Sequence, residues 1–191
     1  MLLRSLWDVK PLLEQGRLLP VLADYVERKY DSSKMTIVSP DAGRVRLADT
    51  WSDRLRAPLA IIHKRHDPTV ANLVKVHEVV GDVAGRTCLL VDDMVDTAGT
   101  ICQAAGALFE HGADKVIVAA THAILSGPAA ERLNSQPFEE IIFTNTLPIP
   151  PGVHVEKATV LSVAPLLAQA IHEVFEDGSV ASLFDGGTQY C

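Results

Sequence analysis

The chain is poor in cysteine. Its three cysteines, Cys88, Cys102 and Cys191, lack the spacing of a metal site or a disulfide framework. An oxidising compartment is therefore not expected, and Cys88 and Cys102, which fall in predicted core elements, are expected to pack. Aromatic residues are also scarce, at 5%, and Trp7 and Trp51 read as packing residues rather than ligand platforms. Positive charge is in short supply: 17 Lys and Arg against 24 Asp and Glu leave a net charge of −7. That balance argues against a nucleic-acid groove, which needs a basic face. It leaves room for a small phosphorylated ligand, which needs only a local site. No apolar run approaches the roughly 20 residues that cross a bilayer. Arg4, Asp8 and Lys10 interrupt the stretch where a signal-peptide core would lie. No membrane association and a cytoplasmic location are expected.

What is present is an ordinary globular composition, 48% hydrophobic and 21% charged. A length of 191 residues suits one domain able to bury roughly 70% of its unfolded surface. Residues 1–17 are left unassigned, and residues 18–191 are read as that domain. There is no internal repeat. The apolar spacing of Leu19, Leu22, Tyr25 and Val26 predicts a helix over 19–30. From there the chain alternates. Strands are expected at 35–38, 59–62, 76–83, 87–91, 115–120, 141–143 and 160–163. Helices are expected at 43–55, 98–111, 127–134 and 164–175, with Gly112 ending the second of these. Residues 63–75 read as a polar loop and 147–151 as a Pro-rich one. Short apolar strands alternating with amphipathic helices predict an α/β fold with a mostly parallel, doubly wound sheet. Ligands in such folds sit beyond the carboxyl ends of the strands. Asp41, Lys64, Asp92 and Thr121 all fall just after predicted strands, which points to one site.

The most informative segment runs from Asp92 to Thr100, Asp-Asp-Met-Val-Asp-Thr-Ala-Gly-Thr. A buried strand delivers two carboxylates, and a Thr/Gly-rich turn then opens a helix. Such a turn offers backbone N–H groups and hydroxyls to an anion at a helix N-terminus. The acids beside it can take sugar hydroxyls or a hard divalent cation. A blander reading makes Asp96 and Thr97 helix caps, which explains one or two polar residues but not the whole run.

The segment resembles the ribose-5-phosphate-binding loop of the phosphoribosyl pyrophosphate family. In order along the chain, Val38–Gly43, His63-Lys64-Arg65, Val80–Arg86, Ala120-Thr121-His122, Leu125–Ala129, Thr144–Thr146, Leu161–Leu167 and Ser179–Phe184 together resemble the C-terminal half of the ribose-phosphate pyrophosphokinases. The resemblance covers about residues 19–184, so the chain is expected to be a fragment, a truncated product or a diverged paralogue of such an enzyme. It implies a type I phosphoribosyltransferase-like fold. It also implies transfer of the β,γ-diphosphoryl group of ATP to the C1 hydroxyl of ribose 5-phosphate, with Mg2+ as cofactor and AMP leaving.

By the same resemblance, Asp92 and Asp93 hold the ribose hydroxyls, directly or through magnesium. Asp96, Thr97, Ala98, Gly99 and Thr100 cradle the 5-phosphate, and Asp41 contacts the metal. Lys64 and Arg65 are the catalytic cations at the root of a flexible loop. Arg44 stands where many members carry Gly, and His66 where many carry a second Arg. Full-length members are implied to form hexamers built from dimers, and this chain is expected to be at most a dimer. Two alternatives remain open: a phosphoribosyltransferase using a similar loop, and a non-catalytic binding or regulatory subunit.

Overall fold

The computed structural model describes residues 18–66, 75–176 and 178. Among them are seven strands, β1 Met35–Ser39, β2 Leu59–His66, β3 Lys75–Val80, β4 Thr87–Val95, β5 Lys115–Ala123, β6 Glu140–Thr144 and β7 Ala158–Leu161. Five α-helices accompany them: α1 Leu19–Lys29, α2 Val45–Leu55, α3 Gly99–Glu110, α4 Ala129–Asn134 and α5 Ala164–Phe175. The strand order is β3-β2-β1-β4-β5-β6-β7. Every pairing is parallel except β2 with β3.

Strands β1, β4 and β5 are nearly continuous apolar runs because both of their faces are covered. Within β4, Cys88 and Leu90 pack with Ala104, Ala105 and Leu108 of α3 on one side. Leu89 and Val91 alternate to the other side, where they meet Leu22, Val26 and Trp51 of α1 and α2. Cys88 and Trp51 are thus core residues, as expected, and burial pushes the Cys88 thiol up to about 12.

The chain leaves β1 toward β2 on one side and returns through β4 on the other. The topological switch point therefore lies between β1 and β4. A doubly wound sheet opens its ligand crevice there, at the carboxyl ends of the two strands.

Several expected boundaries move, for tertiary reasons. Residues 63–66 are strand rather than loop: β2 runs past the last β1 pair, Ser39 with Ile61, and continues as a two-stranded ribbon with β3. The ladder of an antiparallel partner makes strand out of residues with no apolar alternation. Strand β4 likewise extends through Asp92 to Val95, and β5 through Thr121 to Ala123, because the two stay in register as Asp92 with Ala120, Met94 with His122 and Val95 with Ala123. Asp92, Thr121 and Lys64 therefore sit inside strands and not after them. Gly127 has φ +54, a value that suits a turn, and α4 begins only at Ala129.

Candidate phosphosugar site

Asp41 follows β1 and caps a short 3₁₀ turn, Ala42–Arg44; its Oδ1 accepts from Gly43 N at 2.8 Å. Its capping role is therefore real, whatever else the carboxylate does. The turn ends by directing Arg44 across the switch point. There Arg44 Nε lies 2.8 Å from Asp92 Oδ1, and Arg44 Nη2 lies 2.8 Å from Asp93 Oδ1. Asp92 Oδ1 also accepts from Asp93 N at 2.8 Å, and Asp93 Oδ1 from Met94 N at 2.9 Å. Asp93 is 3% exposed, so two neighbouring carboxylates are held at the edge of the core by one guanidinium.

Burial raises the Asp92 carboxyl to about 6, the Asp93 carboxyl adds to the rise, and Arg44 opposes it. Desolvation disfavours the Arg44 cation, yet the two acids win and its pKa is raised.

Beyond the acids the backbone turns sharply. Ala98 has φ 59 and ψ 7 and forms the N-cap of α3. A left-handed Ala costs about 1–2 kcal/mol, so its surroundings must hold it there. The loop after β5 does so in part: Ile124 N and Leu125 N donate to Val95 O at 3.1 and 3.0 Å, and Ser126 N to Asp96 O at 3.0 Å. Leu125 is itself left-handed, with φ 54, and is anchored by burial. From α4, Arg132 Nη1 donates to Thr97 O at 2.9 Å.

The capping reading of Asp96 and Thr97 is not borne out. Helix α3 has no side-chain cap among the described residues and no acid in its first turn. Its leading N–H groups thus face a cleft of about 200 Å³ lined by Asp41, Arg44, Asp92 and residues 94–101. Unsatisfied N–H groups and the positive end of the helix dipole make this an anion-binding feature.

The structure thus brings together Asp41, Asp92, Asp96, Thr97, Ala98, Gly99 and Thr100, with Asp93 directly behind. The side chains of Lys64 and Arg65 lie outside what is described, as do residues 67–74 of the expected catalytic loop and residues 179–184. His122, another position of interest, shares a 2.8 Å hydrogen bond between its Nδ1 and Thr146 Oγ1, as a satisfied histidine would. A second hollow, about 230 Å³ between α1 and the start of α5, contains none of the expected site residues.

Among the described residues no group of three or more His, Cys, Asp or Glu could cage a metal. The donor set still fits magnesium, which commonly uses one or two carboxylates and completes its shell with water and substrate phosphates.

Sequence reasoning marked Arg44 only as a departure from the family's Gly, without its reach to Asp92 and Asp93, and it passed over Arg132. The signal for Arg132 was available: in a parallel sheet the loop after β5 lies beside the loop after β4, so a cation early in α4 falls near the 96–100 turn.

Helices on both faces of a mostly parallel sheet, with a phosphate-type turn after the strand at the switch point, define a type I phosphoribosyltransferase fold. The chain superposes on a solved adenine phosphoribosyltransferase with a TM-score of 0.50 at 15% identity, over 66% of this chain and 77% of that one, a likeness of fold alone. The Phosphoribosyl synthetase-associated domain family matches residues 68–185. A ribose-phosphate pyrophosphokinase of Streptomyces avermitilis is 67% identical over 167 residues, 87% of this chain and 52% of that protein. One from Mycobacterium tuberculosis is 55% identical over the same length, 87% of this chain and 51% of that protein. The crystal structure of phosphoribosylpyrophosphate synthetase from Mycobacterium smegmatis matches with a TM-score of 0.75 and 48% identity, covering 84% of this chain and 51% of that one. The chain belongs to the ribose-phosphate pyrophosphokinase family. It spans about half the length of the curated relatives it matches.

Proposed function

We propose that this domain binds ribose 5-phosphate and, within a complete catalytic unit, presents the C1 hydroxyl to ATP, yielding phosphoribosyl pyrophosphate and AMP. The observation that carries the reading is the uncapped N-terminus of α3 directly beyond the acid pair. A dianionic phosphate suits the N–H groups of residues 99–101 and the Thr97 and Thr100 hydroxyls. The sugar then extends toward Asp92 and Asp93, which accept from its hydroxyls.

The nucleophile belongs to the substrate, so the protein's task is positioning and charge stabilisation. The C1 hydroxyl oxygen attacks the β-phosphorus and gives up its proton to solvent, the bond from that phosphorus to the oxygen shared with the α-phosphate breaks, and AMP departs with that oxygen. Asp41 is the carboxylate that would hold magnesium, which when bound would supply neutralisation of the phosphate charge. Lys64 and Arg65 are assigned by resemblance to neutralise the transferring phosphates. The strand placement of their backbones, on the β2–β3 ribbon beyond β1, is compatible with that assignment. A cytoplasmic location and oligomeric full-length relatives complete the proposal, with this chain alone at most a dimer.

High identity to pyrophosphokinases, against a likeness of fold alone to phosphoribosyltransferases, favours diphosphate transfer over base exchange. The test is calorimetric titration with ribose 5-phosphate, paired with AMP release from ATP, Mg2+ and ribose 5-phosphate. The control is the Asp92→Asn, Asp93→Asn double variant. Saturable binding lost in the double variant is expected. A folded chain that ignores ribose 5-phosphate sinks the proposal.

A further inference from the structure

Arg44 does more than close a turn. Its Nε and Nη2 reach Oδ1 of Asp92 and Oδ1 of Asp93, both at 2.8 Å. Each of those oxygens also accepts the N–H of the following residue, at 2.8 and 2.9 Å. Both acceptor directions of each Oδ1 are thus filled from within the chain. At either Oδ1 a divalent cation would need one of those lone pairs at about 2.1 Å, and at the other carboxylate oxygens it would still sit close to a guanidinium in a partly desolvated site. Like charges at that range repel strongly. A neutral hydroxyl meets no such repulsion, and two carboxylates offset by one guanidinium leave a single net negative charge to attract its proton. Asp41 is less closely engaged: its Oδ1 accepts from Gly43 N, its charge acts on Arg44 more weakly than those of Asp92 and Asp93, and it forms no ion pair among the described residues.

We propose that Arg44 sets the specificity of the acid pair, reserving Asp92 and Asp93 for the hydroxyls of a sugar phosphate and keeping divalent cations off them. Asp41 is left as the metal-contacting carboxylate. The sugar half of this proposal rests on the ribose-5-phosphate reading above, and the cation half does not. Arg44 acts through the two acids as a positioning residue. At 35% side-chain exposure its truncation leaves little void.

The probe for the cation half is Mn2+, with the free ion followed by electron paramagnetic resonance over the full chain. Arg44→Gln is expected to bind Mn2+ roughly tenfold more tightly, because the repelling charge is gone. Arg44→Lys, which retains the charge, is expected to stay near wild type. Adding Asp92→Asn to Arg44→Gln is expected to remove the gain. A cooperative thermal transition checks each fold, and Arg44→Ala stands in if Arg44→Gln fails that check. Unchanged Mn2+ affinity in the neutral variant overturns the proposal, as does a gain that survives Asp92→Asn. Calorimetry with ribose 5-phosphate in the presence of a chelator runs beside it. A folded wild type that binds none, with or without Mn2+, refutes the ribose-5-phosphate reading, while the Mn2+ comparison still decides the role of Arg44.

Discussion

Arg132 Nη1 donates to the carbonyl oxygen of Thr97 at 2.9 Å, the residue before the left-handed Ala98. A cation from the helix after β5 thereby braces the turn that opens α3. The bond is solvent-exposed and contributes roughly 0.5–1 kcal/mol to stability. Its larger effect is on the turn. Arg132→Ala is expected to lower the melting temperature by only a few degrees and to weaken inorganic phosphate and ribose 5-phosphate alike, each by roughly tenfold. Isothermal titration with both anions checks this; loss confined to ribose 5-phosphate would place Arg132 elsewhere in the site.

Two glycines separate fold from site. At Gly81, with φ +130, an added Cβ would meet Ala60 Cβ at 2.6 Å and Ala60 Cα at 2.8 Å, so something must shift. Gly81→Ala is expected to cost about 3 kcal/mol or more by urea denaturation. At Gly99 the same atom would find Arg132 Nη1 at 3.5 Å and Thr97 Oγ1 at 3.9 Å, ordinary contacts. Gly99→Ala is expected to leave stability within about 1 kcal/mol of wild type, yet to weaken phosphate binding by placing a methyl in the turn. Equal phosphate affinity in Gly99→Ala would count against the turn as the anion site.

Glu140 opens β6 at 5% exposure and gathers four donors: Tyr25 at 2.7 Å, Lys29 at 2.9 Å, Tyr30 at 2.5 Å and Thr159 at 2.6 Å. Burial alone would raise its carboxyl, but hydrogen bonds from Thr159, Tyr30, Lys29 and Tyr25 together hold it down at about 2. The native state therefore favours the ionised form. Its stability contribution is present above the ordinary value of 4.5 and is lost as pH falls toward 2. Glu140→Gln is expected to destabilise the domain by about 3 kcal/mol at neutral pH and to flatten that acid limb in denaturation curves.

Asp92 has the opposite sign. Its folded pKa, raised from 3.8 to about 6 chiefly by burial, means that the native state holds the proton more tightly than the unfolded chain. Its contribution to stability is full below 3.8 and is lost as pH rises through about 6. Asp92→Asn is expected to remove that decline. Ribose 5-phosphate affinity in the wild type should rise over the same window by more than in Asp92→Asn, the excess over the ligand's own second phosphate ionisation at about pH 6 coming from the carboxylate acceptor as it forms. Equal rises in the wild type and in Asp92→Asn would contradict an ionised Asp92 as the hydroxyl acceptor.

Much of this was legible in the sequence because the signals are local. The β4 run Cys88–Val91 is apolar at every position and so must be buried on both faces. The 92–100 run couples acids to a Thr/Gly turn at the head of a helix. Parallel order followed from strand–helix alternation, and the fall of Asp41 and Asp92 toward the carboxyl ends of strands pointed to one site. Less legible were the strand ends. Nothing within 63–66 or 92–95 announces a strand, because their ladder bonds come from β3 and β5.

The sequence by itself determined the elements, the family and the cluster of groups suited to a phosphorylated sugar, since periodicity and turn chemistry act between residues close along the chain. Tertiary structure alone decided which charges meet. Arg44 lies 48 residues from Asp92 and Arg132 lies 35 from Thr97, and only the crossing of the chain between β1 and β4, and the adjacency of β4 and β5, bring them within hydrogen-bond reach. Those two contacts change the chemistry of the site: one sets the charge on the acid pair, and the other holds the turn that leaves the N-terminus of α3 open to an anion.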